Sequence, residues 1–332
     1  MDSQRRLLWF RRLALLGAAL AATVVVLGAW VRLTDAGLGC PDWPGCYGHF
    51  YPQADHNFSK AIHEMIHRYF ATTLGTIIFG LLAWAVWNRK TRGQPLKAVA
   101  LLFLLVCLQG ALGALTVTLL LKPLIVTAHL LGGLSTLGIL WWLSLTPERR
   151  ELSSRESALR KFALLGLVAL ALQIALGGWT SSNYAAVACP DLPTCQQAWW
   201  PRMDFRDAFV LWRGLDIDYT GGVLSNPARI AIHVTHRLGA LLAGSVLMGV
   251  GVLTIVRGGR RLRVIGALLV GAVLLQIGIG VAMVHFALPL PLATLHNAGA
   301  ALLVLCTVAL LRVLWPGRAI GMVPLRHGHS TR

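Results

Sequence analysis

Four histidines stand at duplicated positions in this sequence, and neutral imidazole is a strong ligand for iron. His67-Arg68 reappears as His236-Arg237, and Gln109 precedes His129 by twenty residues just as Gln276 precedes His296. All four lie in apolar stretches, where an ionisable side chain is rare and usually functional. One such histidine is more often an interhelical hydrogen bonder than a ligand. Four at repeated positions point to ligation. Two imidazoles per half lack the further Cys or carboxylate ligands that tetrahedral zinc wants. They suit an iron gripped between the two faces of a flat macrocycle, that is, haem. His49, His56, His327 and His329 fall in a loop and the tail and receive no role. His63, His233 and His285 read as interfacial or supporting groups, with His63 a competitor of His67 for the ligand position.

Glu64 shares a helix face with His67, three residues on. A carboxyl there costs about 2.5–3.5 kcal/mol if it lies deep in lipid. Its counterpart in the repeat is His233, so the halves are chemically unequal: one carries an acid or base beside its iron site. Glu64 either joins the chemistry or caps a first helical turn, where acids are favoured. Arg68 and Arg237 each follow a ligand candidate, about 100° further round the helix, and cannot face the same iron. They either reach outward to haem propionates or anchor the helix at the interface.

Cys40-Pro-Asp-Trp-Pro-Gly-Cys46 and Cys189-Pro-Asp-Leu-Pro-Thr-Cys195 repeat one another, each entered ten residues after a tryptophan, Trp30 or Trp179. In an oxidising compartment each pair reads as a local disulfide, either redox-active or a staple for an irregular loop. Cys107 and Cys306 lie in apolar runs and simply pack.

The elements that must position these groups are membrane spans. Of 332 residues, 56% are hydrophobic and 13% charged, about half the charge of a soluble domain. Eight stretches are long and apolar enough to cross a bilayer, roughly 13–31, 64–87, 98–121, 124–145, 161–180, 230–256, 262–283 and 291–314. The first is too long for a signal-peptide core and no cleavage site follows it. The net charge of +17 would suggest nucleic acid in a soluble protein. Here most basic residues fall at the N-terminus, in the 89–97, 147–161 and 257–263 loops and in the tail, which places both termini in the cytoplasm and assigns lipid, with no nucleic acid, as the surroundings. The segments 33–62 and 181–229 then lie outside. A bacterial inner membrane is the simplest location.

The repeat divides the chain into two four-helix units, 1–150 and 151–332. The expected fold is an all-α integral membrane protein of eight transmembrane helices in two pseudo-symmetric four-helix bundles, with a pseudo-axis along the membrane normal. His67, His129, His236 and His296 all sit on even-numbered spans, about 6–13 Å below the outer helix end. Leu172-Gln173 in span five reads as a stray third Leu-Gln pair that blurs the repeat.

Taken together, the eight spans, the histidine on each even span, Glu64-x-x-His67-Arg68 and the two outer Cys pairs resemble the haem A synthase family, in its eight-helix bacterial form, over nearly the whole chain. The resemblance implies an oxidoreductase that converts a methyl group of haem O to a formyl group through hydroxylated intermediates, giving haem A for terminal oxidases. It places Glu64, His67 and His129 at the reaction site in the first half and makes His236 and His296 the axial ligands of a haem b cofactor in the second. It also implies disulfides Cys40–Cys46 and Cys189–Cys195, haem O supplied by a haem O synthase, and an electron partner the sequence does not identify. The rival is a non-catalytic di-haem b-type membrane electron carrier, which gives no reason for Glu64 to occur in only one half. A haem O synthase lacks support, because no Asp-x-x-x-Asp pair is present to hold a diphosphate's magnesium.

Overall fold

The computed structural model describes residues 3–52, 57–91, 93–147 and 151–315. His56, His327, His329, the C-terminal tail and the division at residue 150 lie outside them. Among the described residues the chain is all helical, with two isolated backbone bridges, Cys46–His49 and Cys195–Ala198. Eight long helices, each apolar enough to span a membrane, are α1 (Ser3–Leu33), α2 (Phe58–Trp87), α3 (Leu96–Thr118), α4 (Pro123–Ser144), α5 (Ser154–Ser182), α7 (Asn226–Arg257), α8 (Arg260–His285) and α9 (Leu290–Val313). A one-turn helix, α6 (Phe205–Ala208), lies in the long connection between α5 and α7. The protein is an integral membrane protein, as its composition requires.

Several helices begin well before the apolar runs that announce them. α2 starts at Phe58 and α5 at Ser154, because the first turns carry polar residues that hydropathy discounts but a helix accepts. Ser153 opens α5 with a capping box: its hydroxyl accepts from the Glu156 N–H at 3.3 Å, and its own N–H donates to Glu156 Oε2 at 3.0 Å. That arrangement satisfies two donors the helix would otherwise leave bare. Pro123 begins α4, where its missing N–H costs nothing.

The helices α1, α4, α5 and α9 pack on one another at the centre, with α2 and α3 flanking one side and α7 and α8 the other. The core runs along this inner group and includes Phe10, Leu137, Leu140 and Leu310, all essentially inaccessible. Polar ties cross the centre: the Trp141 indole donates to the Leu305 carbonyl at 3.0 Å. Outward-facing Leu101, Leu104, Leu241 and Leu268 stay exposed, as side chains bathed in lipid should be.

The described connections 34–52 and 183–225 emerge at the same end of the array, where Arg32 at the end of α1 donates to the Ser181 carbonyl at 2.9 Å and to the Tyr184 hydroxyl at 3.1 Å. The backbone of the two connections repeats: Asp35 and Tyr184, then Tyr47 and Gln196, all take positive φ. So do Leu120 and Leu121 after α3, and Ala287 and Leu288 after α8. Lys122, only 1% exposed, donates to the Gly214 carbonyl and lies 3.5 Å from the Trp212 ring centroid. It fastens the second connection across the α3–α4 turn.

Candidate functional site

Both cysteine pairs are disulfide-bonded, with Cα–Cα separations of 4.8 Å for Cys40–Cys46 and 4.6 Å for Cys189–Cys195. An aspartate shapes each ring. Asp42 accepts the N–H groups of Tyr47 and Gly48 at 2.6 and 2.8 Å. Asp191 accepts those of Gln196 and Gln197 at 2.6 and 3.0 Å. Burial pushes the Asp42 carboxyl upward, but the Gly48 and Tyr47 amides and the nearby Arg68 charge prevail and hold it below its ordinary 3.8. The Thr194 hydroxyl, aided by the Gln197 and Gln196 amides, does the same for Asp191 against its slight desolvation.

Arg68 and Arg237 bind these rings rather than projecting away from the protein. Arg68 Nη1 donates to the carbonyls of Asp42 and Gly45 at 2.9 and 2.5 Å. Arg237 donates to those of Thr194 and Cys189 at 2.8 and 2.9 Å. Each arginine therefore ties a disulfide loop to the helix turn that carries a duplicated histidine.

Here the halves part. Glu64 is 4% exposed; its Oε2 accepts the Cys40 N–H at 2.9 Å and its Oε1 accepts Arg68 Nη2 at 2.5 Å. Because α2 starts at Phe58, Glu64 lies in the second turn, and the first turn holds no acid. The capping alternative is thereby excluded. At the matching place in α7 stands His233, 5% exposed, whose buried Nδ1 makes no hydrogen bond of good geometry.

The four duplicated imidazoles share one setting. Each lies against a glycine of the long helix before it: a Cβ added at Gly28 would fall 2.9 Å from Cε1 of His67, at Gly113 3.5 Å from Cε1 of His129, at Gly177 3.2 Å from Cε1 of His236, and at Gly280 3.4 Å from Cε1 of His296. All four residues are half-buried. Nδ1 is buried in His67, His129 and His296; the His67 ring meets the Val24 backbone and the His129 ring the Gln109 backbone, while in His236 Nδ1 lies 3.1 Å from Gln173 Nε2. With Nδ1 enclosed, Nε2 is the ring nitrogen left for a ligand, although in His67 it too lies 3.4 Å from a Cβ added at Gly28. His67 is within electrostatic range of His129, and His236 of His296. His63 instead meets Trp30 edge-on, ring centroids 6.4 Å apart, and His285 packs on Phe286.

A model of the cytochrome oxidase assembly protein family matches residues 11–308. The chain belongs to that family. It is 41% identical to the heme A synthase of Shewanella oneidensis over 93% of this chain and 97% of that protein. It is also 30% identical to the heme A synthase of Exiguobacterium sibiricum, over 70% and 80%. With that of Rhizorhabdus wittichii it shares 26% identity over 92% of each.

The donor set of this family member suits a haem. Among the described residues no group of three or more His, Cys, Asp or Glu could hold a bare metal ion. Two imidazoles with Nε2 left for a ligand serve a metal only if something else fills its remaining positions, and a porphyrin brings four nitrogens. The backbone partners of the first-half rings fit as well, Val24 for His67 and Gln109 for His129, since an imidazole ligating through Nε2 gives its other N–H to a protein acceptor.

Sequence reasoning passed over the small and neutral parts of the site. The glycines against the four rings were invisible among 34 in the chain. Gln173, read as a blemish in the repeat, is the hydrogen-bond partner of His236. The available signal was Gln-x-x-x-Gly, which occurs at 109–113, 173–177 and 276–280.

Proposed function

We infer that this chain is a haem A synthase, oxidising a methyl group of haem O to a formyl group and so acting as an oxidoreductase. The observation that carries the reading is Glu64: a buried carboxylate beside a haem-suited histidine pair in one half, replaced by His233 in the other. A di-haem electron carrier has no use for that difference.

In this reading residues 1–150 form the substrate half, where His67 and His129 hold haem O. Residues 151–332 form the second half, where His236 and His296 would hold haem b. When bound, haem b supplies one-electron redox chemistry. The two halves are pseudo-symmetric four-helix bundles with both termini in the cytoplasm, in the inner membrane of a bacterium. Haem O arrives from a haem O synthase, and electrons pass to or from a partner outside this chain.

Glu64 is the group that would hold or move a proton at the methyl-bearing edge. Both its oxygens are already engaged, Oε2 by the Cys40 N–H and Oε1 by Arg68, which fixes the carboxylate's orientation. Each oxygen keeps a further lone pair for a water or a substrate proton. The disulfide loop and Arg68 thus position the acid; the lipid-embedded helices around it keep bulk water from the reacting edge. Arg68 and Arg237, although engaged with loop carbonyls, are the cations on the histidine turns that would meet haem propionates.

The test is Glu64→Gln expressed with a haem O source, followed by extraction and chromatography of the haems. Loss of haem A with retained haem O and haem b supports the assignment. Undiminished haem A output refutes it.

A further inference from the structure

The four histidine settings differ in one respect that their shared glycines conceal. Four residues before the glycine facing His129, His236 and His296 stands a glutamine: Gln109, Gln173 and Gln276. Three residues after those histidines stands a glycine: Gly132, Gly239 and Gly299. The two features fit together, because a Cβ on any of these three glycines would collide with the carboxamide of the facing glutamine. Gln276 Nε2 donates to the His296 carbonyl at 3.0 Å. Gln173 Nε2 donates to the His236 carbonyl at 3.1 Å and lies equally close to that ring's Nδ1. Gln109 is 8% exposed and fills the same notch at Gly132.

The setting of His67 has neither part. Val24 occupies the glutamine position and Phe70 the glycine position. The polar side chains next to His67 on α2 reach the loop instead: Arg68 to the carbonyls of Asp42 and Gly45, and Tyr69 to that of Phe50. Two histidine turns are therefore tied to the neighbouring helix by a carboxamide hydrogen bond, and the third, at His129, by the fit of the Gln109 carboxamide over Gly132, with its Nε2 making no hydrogen bond of its own. The fourth has no carboxamide: its ring meets the Val24 backbone and packs on Gly28.

A carboxamide in such a place has nowhere else to go. Withdrawing Gln173 or Gln276 would leave its Nε2 without the histidine carbonyl it now binds, in an apolar surrounding, which costs about 1–3 kcal/mol. The histidine backbone it holds stays at a fixed distance from the facing helix, and so does the ring. An imidazole without the lock gives up only its ring's own contact with the Val24 backbone when its helix turn retreats. This difference matches what the two halves must do, since a resident group stays bound while a substrate porphyrin must arrive and depart at every turnover.

We propose that His67 is the releasable ligand, letting go of the iron as haem O enters and haem A leaves, while Gln109, Gln173 and Gln276 are positioning residues that hold His129, His236 and His296 in place. Release breaks only the dative bond from His67 Nε2; the lone pair stays on the imidazole and no electron is transferred. The proposal rests on the haem reading above.

Carbon monoxide is the probe, because it binds a ferrous haem only when an axial ligand yields. In the reduced protein carrying both haems, carbon monoxide should change the Soret absorption of the first-half haem alone. Building the missing lock with Val24→Gln and Phe70→Gly should slow carbon monoxide binding at least tenfold and slow haem O transfer to apomyoglobin by a similar factor. Removing a lock with Gln173→Leu should make the second-half haem reactive to carbon monoxide. The unaltered haem spectrum of the other half reports folding in each variant. Unchanged rates in the double variant, or a second-half haem still inert in Gln173→Leu, would overturn the proposal. If His236→Ala and His296→Ala leave both haem signals intact in an otherwise wild-type chain, the failure lies in the ligand assignment and not in the locks.

Discussion

Glu64 and Cys40 meet through a hydrogen bond: the backbone N–H of the disulfide cysteine donates to Oε2 of the buried carboxylate at 2.9 Å. A loop that would pass for a surface staple is thereby part of the setting of the proposed catalytic acid. Arg68 closes the arrangement, since its guanidinium binds Glu64 Oε1 and three carbonyls of the same loop, those of Asp42, Pro44 and Gly45. In the second half Arg237 binds the corresponding loop, and His233 stands where the acid would be.

Removing each disulfide separates its structural and positional roles. A chain-entropy argument for so short a ring gives about 2 kcal/mol per disulfide. Cys40→Ser/Cys46→Ser and Cys189→Ser/Cys195→Ser should therefore lose similar stability in thermal unfolding of the detergent-solubilised protein. Only the first pair should also lower haem A yield, because only it displaces the donor to Glu64. Equal loss of product from both double variants would show that the Cys40–Glu64 contact has no special part in the reaction.

The arginines should differ in the same direction. Arg68→Gln deprives a buried carboxylate of its cation and is expected to cost about 3–5 kcal/mol. Arg237→Gln removes hydrogen bonds to two carbonyls and should cost about 1–3 kcal/mol. A double-mutant cycle of Arg68→Gln with Glu64→Gln should give a coupling above about 1 kcal/mol. A coupling near zero would mean that Arg68 serves the loop and is indifferent to Glu64.

The parts of this arrangement that could be read from the sequence were those with a long period or an unusual residue type. Eight apolar runs, two cysteine rings and four membrane histidines are visible because lipid tolerates so few exceptions. The start of α2 was not visible: Ser59, Lys60 and His63 lower the local hydropathy, although a helix carries them readily. With the helix start placed at about residue 64, Glu64 could be taken for a first-turn residue, whereas α2 in fact begins at Phe58. Gln173 was misread for a different reason. The repeat was framed as two halves, in which Gln173 pairs with Val24, while its physical equivalents are Gln109 and Gln276 in neighbouring hairpins. Lys122 gave no signal, because nothing local to Lys122-Pro123 reveals that Trp212 and Gly214, some ninety residues away, will cover it.

Acid should loosen the two disulfide loops before it affects the helices. Asp42 and Asp191 are held below their ordinary 3.8 in the folded protein. A depressed carboxyl stabilises the fold above its unfolded-state value, and that contribution fades as pH falls through the lower folded-state value. Both loops should therefore keep their shape at pH 5 and yield only below about pH 3.8. Hydrogen exchange at the amides of Tyr47, Gly48, Gln196 and Gln197, corrected for intrinsic rates, reads this directly. Protection lost already between pH 6 and 5 would contradict it.

The glycines against the four imidazoles should rank by the space each leaves. Gly28→Ala places a methyl group 2.9 Å from Cε1 of His67, closer than real Cβ atoms come, so the ring or the helix must move. Gly177→Ala, at 3.2 Å from His236, asks the ring to give by a few tenths of an ångström. Gly280→Ala and Gly113→Ala, at 3.4 and 3.5 Å, are near ordinary contact. Overpacking of this kind costs about 1–3 kcal/mol where the neighbours cannot shift. Haem content after purification should thus fall most in Gly28→Ala, with loss of first-half haem, less in Gly177→Ala, and little in the other two. His67 lacks the carboxamide lock, so its turn can move aside. Gly28→Ala should consequently lower haem affinity without unfolding the protein, whereas Gly177→Ala, acting on a locked turn, should lower the melting temperature as well. The reverse pattern, with Gly28→Ala unfolding and Gly177→Ala benign, would place the rigid ligand in the first half.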